Sequence, residues 1–232
     1  MKFYWPGMST SLKQKVKNCD TCLAKIQKLD LKGGQHKPRR HGFPGEVLYV
    51  DLVGPMPETK DGKRYITTMQ DGFTRYSSAV MIECKEAPVV ANALLEGWVT
   101  KFGCPARIHT DQGTKFQNKV WTELCDRLQI SKTETPSYNP QSNLVERFHR
   151  TLNSVMRTHM SREDTGWERF VATAVFAYNT KTNATTGVTP FEAFIGRPAR
   201  LPIDLVVPTP DRKYATEDSY IQETKYLFIS TS

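Results

Sequence analysis

The chain has 232 residues, of which 38% are hydrophobic and 24% are charged, as in an ordinary globular protein with one good core. No apolar run approaches the length that crosses a bilayer, so the sequence predicts no membrane partner. The cysteines are odd in number and lack the spacing of a disulfide framework, which favours reduced thiols in an intracellular protein: Cys19, Cys22, Cys84, Cys104 and Cys125.

The net charge of +8 is concentrated at the start of the chain. Residues 1–42 contain ten Lys or Arg but only Asp20 and Asp30, whereas the rest of the chain is balanced in charge. A basic segment of this kind suits the phosphates of nucleic acids, and a solvated basic tail is the plain alternative.

The predicted elements follow one another at short intervals. Residues 1–31 predict a small helical segment, because apolar residues recur there at helical spacing, and residues 32–45 predict a basic linker rich in Gly and Pro. Strands are predicted at Val47–Leu52, Arg64–Met69, Ser77–Glu83, Ala106–His109 and Ser131–Thr135. Helices are predicted at Ala87–Phe102, Asn118–Leu128, Ser142–His159 and Trp167–Tyr178, before a Pro- and Gly-rich stretch, Asn179–Pro210. This order predicts an α/β fold in which a mixed sheet has helices on both faces.

Three carboxylates stand in positions that favour a metal site. Asp51 lies in an otherwise apolar strand, where an unpaired charge would be costly, and Asp111 ends a short strand at a Gly turn. Glu146 falls in the first turn of its helix, where the helix dipole favours a negative charge. Oxygen ligands of this kind suit Mg²⁺, and two such ions can clamp both oxygens of an in-line phosphoryl displacement.

The motifs around these acids resemble the integrase of gypsy-type LTR retrotransposons, within the retroviral integrase and DDE transposase superfamily. The resemblance runs from about Tyr4 to about Pro202, and its specificity comes from the order and spacing of several short motifs. These motifs are Tyr4-Trp5-Pro6-Gly7-Met8, Cys19-Asp20-Thr21-Cys22, Asp51, Thr110-Asp111-Gln112-Gly113-Thr114, Asn139 to Arg150, and Thr189-Pro190-Phe191 leading to Gly196-Arg197-Pro198.

The resemblance implies an RNase H-like fold and a catalytic triad of Asp51, Asp111 and Glu146 that holds two Mg²⁺ or Mn²⁺ ions. The implied reaction trims the 3′ ends of element DNA and joins them to target DNA. The implied partners are element and target DNA and further copies of this chain, with no small-molecule substrate, and the implied location is the nucleus.

The same resemblance implies DNA contacts near the third acid. Arg150, four residues after Glu146 on the same helical face, could reach a phosphate, or could simply pair with Glu146. Asn153 lies one turn further. The residues that lead to Glu146 could stack on or hydrogen-bond to a splayed DNA end, although plain turn chemistry also explains them: Tyr138, Asn139, Gln141 and Asn143.

The spacing between the second and third acids departs from the family. Here 34 residues separate Asp111 from Glu146, where the family usually has about thirty-five, and the missing residue corresponds to a Gly that would follow Asn143. We expect the loop to absorb the loss, because Val145, Phe148 and Leu152 keep their helical register with Glu146. A catalytically inactive, DNA-binding or dimerising remnant is therefore the alternative function, and a related nuclease that cleaves without joining is a third.

The Cys pair raises the question of zinc. Cys19 and Cys22 with His36 and His41 meet the spacing of a Cys₂His₂ site, but Pro38 opposes the helix that such a site needs. In the family two His precede the Cys pair, so we expect an incomplete site that binds Zn²⁺ only if the His pair is supplied elsewhere. The predicted domains are a partial zinc-binding segment at 1–31, the linker at 32–45, the catalytic core at 46–182 and a Pro-rich extension at 183–232, with truncation at both ends relative to the family.

Overall fold

A computed structural model describes residues 6–17, 41–111, 119–134, 142–159, 166–184, 186–206, 216–219 and 221–222. Its centre is a mixed sheet of five strands in the order β3-β2-β1-β4-β5. β1 pairs antiparallel with β2, and β2 pairs antiparallel with β3, whereas β1–β4 and β4–β5 are parallel pairs. The strands are β1 Val47–Val53, β2 Tyr65–Asp71, β3 Ser77–Ile82, β4 Arg107–Thr110 and β5 Ser131–Glu134. The predicted mixed sheet is thus confirmed.

Helices cover both faces of this sheet. α2 begins with Ala87–Leu94 and ends with Thr100–Phe102, and the others in this part of the chain are α3 Lys119–Arg127, α4 Ser142–His159, α5 Glu168–Asn179 and α6 Pro190–Ile195. α2 and α3 pack on one face, called here the α2–α3 face, and α4 and α5 pack on the other, called the α4–α5 face. No helix within the described residues is long and apolar enough to span a bilayer.

The α2–α3 face is an apolar core. Alternate residues of the strands point into it and meet the apolar stripes of the two helices, because successive strand residues point to opposite faces. Its fully buried side chains include Leu48, Met69, Leu94, Trp98 and Trp121.

α2 differs from the continuous α-helix that the sequence predicts. Its middle, Leu95–Val99, is π-helical, and Gly97 there approaches the sheet so closely that a Cβ would lie 2.4 Å from Met69 Cε and 2.6 Å from Val80 Cγ2. The Ser78 hydroxyl donates a hydrogen bond of 3.0 Å to the Gly97 carbonyl, so the sheet satisfies a backbone group of the altered turn.

The α4–α5 face is mixed in character. Leu152 and Met156 of α4 pack with Ile66, Trp167 and Val171 in a second apolar cluster. Beside this cluster the strands carry buried polar side chains, and α5 is tied to the edge strand by a pair of hydrogen bonds. Asn179 accepts from the Ser77 N–H at 2.9 Å and donates to the Ser77 carbonyl at 2.8 Å.

The core extends beyond residue 182, where the sequence places its end. Thr189 caps α6 by accepting a hydrogen bond from the Glu192 N–H at 3.0 Å, and Gly196 ends the helix with a left-handed φ of 81°. Phe194 then stacks on Tyr76 with ring centroids 4.7 Å apart. The contact carries α6 into the apolar core, so the predicted irregular extension contains a helix that belongs to the core, in a compact unit that includes residues 38–199.

The end of the predicted linker also belongs to the core. The Gly45 N–H donates to the Asp71 carboxylate at 2.8 Å, and the Gly45 carbonyl accepts from the Ala106 N–H at 3.0 Å. Earlier in the chain, α1 Met8–Lys17 confirms helix within the first segment, and a short 3₁₀ helix, Pro202–Leu205, is described near the other end. Both pieces belong to one compact unit, which is distinct from the unit that contains the sheet.

Candidate active site

Two of the three predicted acids belong to neighbouring parallel strands or their ends: Asp51 lies within β1, and Asp111 directly follows β4. Tyr49 of β1 is the register partner of His109 of β4, and their rings meet edge to face at 5.0 Å between centroids. Asp51 stands two residues further along β1, on the same side of the sheet as this ring pair, and Asp111 follows His109 by two residues, just after the end of β4. Since parallel neighbours lie about 4.8 Å apart, this register leads both chain segments to the same end of the central strands β1 and β4.

The third acid approaches from α4. Val145 is buried against Val47 and Tyr49, whereas Glu146, the next residue, is exposed. Phe148 and Leu152 are fully buried, so the apolar register predicted for this helix is confirmed. α4 therefore lies on the face from which Asp51 projects, with Glu146 beside its buried stripe.

Asp51 is held by its immediate neighbours. Its Oδ1 accepts a hydrogen bond from the Leu52 N–H at 2.7 Å, and its Oδ2 lies 4.0 Å from Nδ1 of His149. The other ring nitrogen of His149, Nε2, is 2.8 Å from the Thr68 hydroxyl. The same hydroxyl lies 3.1 Å from the backbone carbonyl oxygen of Asp51, its register partner across β1 and β2.

Opposing influences act on the His149 imidazole. Its burial lowers its pKa from the usual value of 6.5, while the negative charges of Asp51 and Glu146 raise it, and burial is the largest influence. Both carboxylates, one on β1 and one on α4, therefore lie within electrostatic range of the same ring.

The three predicted carboxylates have the oxygen ligands that suit a hard divalent ion, but they are not arranged as a complete metal site. Asp51, Asp111 and Glu146 offer carboxylate oxygens, the ligands that Mg²⁺ and Mn²⁺ prefer. Among the described residues, however, no group of three His, Cys, Asp or Glu side chains is arranged to hold a metal ion. A shared ion would require the three carboxylates to draw closer than they lie in this structure.

The structure describes only some of the predicted DNA contacts. Arg150 is exposed and Asn153 half-buried on α4. No ion pair joins Glu146 to Arg150 in this part of the structure, so the simple pairing considered for Arg150 is not formed. The remaining predicted contacts lie outside the described side chains: Tyr138, Asn139, Gln141 and Asn143.

The predicted zinc ligands also fall mostly outside the described residues, which include neither Cys19, Cys22 nor His36. His41 is described, and its ring meets that of Tyr49 at 5.8 Å, with Nε2 3.3 Å from the Tyr49 hydroxyl. The incomplete zinc site thus stays a prediction.

Sequence reasoning missed two residues beside the acids, Thr68 and His149. Thr68 reads as an ordinary strand residue, and His149 as one polar position of an amphipathic helix. The available signal was that Thr68 and Gln70 alternate on one face of a strand, which indicates a polar patch on the face of a buried sheet.

Comparison with known proteins identifies the family. A sequence profile of the integrase core domain matches residues 43–140. The chain is 31% identical over 227 residues, or 97% of its length, to the retrovirus-related Pol polyprotein from transposon 412 of Drosophila melanogaster. The chain belongs to the retroviral-type integrase superfamily. The family resemblance stated from the motifs is thereby confirmed.

Relatives of this integrase chain are much longer proteins. It spans 18% of the transposon 412 polyprotein and 14% of the Gag-Pol polyprotein of avian reticuloendotheliosis virus, to which it is 30% identical over 158 residues. A polyprotein of transposon Tf2-3 of Schizosaccharomyces pombe is 25% identical over 219 residues, which cover 88% of this chain and 16% of the relative.

Solved integrase structures share the fold. The HTLV-2 integrase catalytic core domain in complex with magnesium has a TM-score of 0.56 at 18% identity, covering 67% of this chain and 99% of that one. A chain of the simian T-cell lymphotropic virus intasome in complex with PP2A regulatory subunit B56 gamma has a TM-score of 0.60 at 21% identity, and the match covers 90% of this chain and 72% of that one. The BIV integrase core has a TM-score of 0.53 at 24% identity, covering 66% of this chain and 95% of its own. The RNase H-like integrase fold is therefore confirmed.

Proposed function

We propose that this chain catalyses divalent-metal-dependent polynucleotidyl transfer in DNA integration. The reaction would comprise 3′-end processing of retrotransposon DNA and its strand transfer into target DNA. The observation that supports the proposal is the parallel register of β1 and β4, in which Tyr49 pairs with His109, two residues before Asp51 and Asp111, on the face covered by the helix that carries Glu146. Membership of the integrase superfamily supports the same reaction class.

Both chemical steps are displacements at phosphorus. In the first, a water oxygen attacks a phosphodiester near the 3′ end, and the bond from phosphorus to the 3′ oxygen breaks and leaves a 3′ hydroxyl. In the second, that hydroxyl loses its proton and attacks a target phosphodiester, whose departing 3′ oxygen takes up a proton. Neither step needs a covalent bond to a protein side chain.

The carboxylates would act as ligands. Asp51 and Asp111 would share one ion, and Glu146 would complete a second site with one of them. The bound ions would polarise the phosphate and lower the pKa of the attacking oxygen. Ion binding would then supply the attraction that draws Glu146 toward the two aspartates, since three carboxylates repel one another without it.

DNA would be held by charge at two places. Arg150 on α4 is exposed and suited to a phosphate near the acids, and residues 1–42 carry the net charge of the chain. Tyr138, Asn139, Gln141 and Asn143 remain predicted contacts to a splayed DNA end. We further propose that the chain acts as a homo-oligomer on chromosomal DNA in the nucleus.

The proposal is tested by a strand-transfer assay with labelled duplex ends of the element in Mg²⁺ or Mn²⁺. Asp111→Asn removes a charged ligand at nearly constant volume, so we expect activity to fall about a thousand-fold, the effect of losing about 4 kcal/mol of charge stabilisation. Asp126→Asn, an exposed acid on α3, is the matched control and should keep wild-type activity. An Asp111→Asn variant as active as this control would exclude the proposed site.

A second candidate is a DNA-binding remnant without catalysis. Two observations favour it: no metal-holding group of three side chains exists among the described residues, and the stretch between Asp111 and Glu146 is one residue short. A wild-type chain that binds duplex DNA but neither binds Mn²⁺ nor transfers strands would support this function. Restored activity after insertion of Gly between Asn143 and Leu144 would trace the loss to the short loop.

A further inference from the structure

Thr68 of β2 contacts both the backbone of β1 at Asp51 and the side chain of His149 on α4. It is 1% exposed, it is the register partner of Asp51, and its hydroxyl lies 3.1 Å from the Asp51 carbonyl oxygen and 2.8 Å from His149 Nε2. A hydroxyl has one proton, and the Asp51 carbonyl can only accept, so the Thr68 hydroxyl donates to this carbonyl and accepts a hydrogen bond from His149 Nε2–H. The Thr68 hydroxyl thus bridges the backbone of β1 and a side chain of α4.

His149 places this bridge next to both acids. It follows Glu146 by three residues, so the two side chains lie on one face of α4. Its Nδ1 lies 4.0 Å from Asp51 Oδ2, with the His149 and Asp51 side chains 18% and 35% exposed. The hydrogen bond at His149 therefore fixes the preceding turn of α4, which carries Glu146, relative to β1.

We propose that Thr68 and His149 are positioning residues, which fasten α4 to β2 at the level of Asp51 and so set the separation of the Asp51 and Glu146 carboxylates for a shared divalent ion. This inference rests on the proposed function. Neither residue needs to touch the ion or the DNA. Residues that orient metal ligands through hydrogen bonds typically change metal affinity or activity ten- to a hundred-fold when they are lost.

The neighbouring residue provides a matched control. Thr67 is 0% exposed on the opposite face of β2, and its hydroxyl has no hydrogen-bond partner in the described structure. Thr67→Val and Thr68→Val are therefore the same substitution, one residue apart and equally buried. Only the second removes a hydroxyl that connects α4 to the sheet.

The test measures Mn²⁺ binding by calorimetry, and the separate effects on kcat and KM for strand transfer. We expect Thr68→Val to weaken Mn²⁺ binding about ten- to a hundred-fold and to lower kcat with little change in the KM for DNA. Thr68→Ser keeps the hydroxyl and should restore binding to within about three-fold of wild type, whereas Thr67→Val should bind Mn²⁺ normally. Thermal unfolding of each variant verifies that the fold is kept.

A second measurement concerns the pair itself. His149→Leu should weaken Mn²⁺ binding like Thr68→Val, and the double variant should be no weaker than either single one, because both lose the same hydrogen bond. Amide hydrogen exchange in the first turns of α4 should accelerate in both single variants and not in Thr67→Val.

The outcomes separate this inference from the proposed function. If wild type binds Mn²⁺ and transfers strands while Thr68→Val does so equally well, the positioning role is wrong and the function stands. An equal loss in Thr68→Ser and Thr68→Val, or in Thr67→Val, would also overturn the role, because the hydroxyl would not be the cause. If wild type neither binds Mn²⁺ nor transfers strands, the proposed function fails, and the positioning role fails with it.

Discussion

The two faces of the sheet are built from the same strands but use different chemistry. On the α2–α3 face, Leu48, Met69 and Trp98 are buried among apolar side chains. On the α4–α5 face, Asp51 and Thr68 are held by hydrogen bonds and lie beside His149 of α4. The packed apolar face provides a rigid scaffold, and the polar face carries the candidate catalytic groups. A site is positioned more precisely when rigid strands and helices hold it.

The largest expected effect on stability comes from the apolar face. Trp98 is 1% exposed, and its ring meets those of Phe102 and Phe194 at 5.0 and 5.5 Å between centroids. Trp98→Ala should lower the free energy of unfolding by about 3–5 kcal/mol, measured by chemical denaturation. Phe176→Ala, on the outer surface of α5, is the control and should cost less than about 0.5 kcal/mol. Similar losses in both variants would contradict the assignment of the main core to this face.

A smaller effect is expected where α2 touches the sheet. Gly97→Ala places a Cβ against Met69 and the stiff side chain of Val80, so the free energy of unfolding should fall by about 1–3 kcal/mol. Adding Val80→Ala makes room at this contact, and the combined loss should be smaller than the sum of the two single losses. Strict additivity in denaturation experiments would mean that the close approach of α2 is not what disfavours a side chain at residue 97.

On the α4–α5 face a single hydrogen bond should matter less. Gln70 is 1% exposed, and its Nε2 donates to the Tyr178 hydroxyl at 3.0 Å and to Ser77 Oγ at 2.9 Å. Tyr178→Phe removes one acceptor and leaves the other, so we expect a loss of about 1 kcal/mol in the free energy of unfolding. A loss as large as that of Trp98→Ala would show that the polar network contributes as much as the apolar core.

The smallest effect is a pH dependence at the start of the core. Burial, and then the positive charge of Arg75, lower the pKa of His41 below 6.5. The unfolded chain therefore binds more protons at this residue than the folded chain does. The contribution of His41 to stability is present above about pH 6.5, and it is lost as the pH falls through the unfolded pKa toward the folded one. His41→Phe should retain the ring contact with Tyr49 and reduce the loss of stability between pH 7.5 and 5.5. An unchanged pH slope in this variant would contradict the lowered pKa.

Much of the fold could be predicted because its signals are local. The alternation of apolar residues marked β1 to β3, and the apolar stripe of α4 fixed Glu146 beside buried Val145 and Phe148. The helix α6 escaped prediction although its signals are present, since Thr189 at the N-cap, Pro190 in the first turn and Gly196 at the end are the usual limits of a helix. The overall abundance of Pro and Gly in that stretch concealed them.

What the sequence determined by itself was the candidate set of acids, with Asp51 inside a strand, Asp111 after one and Glu146 near a helix start, and the family to which the chain belongs. The tertiary structure decided which side chains meet. The pairing of β1 with β4 placed Tyr49 beside His109, two residues before Asp51 and Asp111, and the packing of α4 brought His149 to Thr68 across 81 residues of sequence. Contacts of this kind depend on strand register and helix position, which arise from the burial of the whole core, so no local pattern at Thr68 or His149 encodes them.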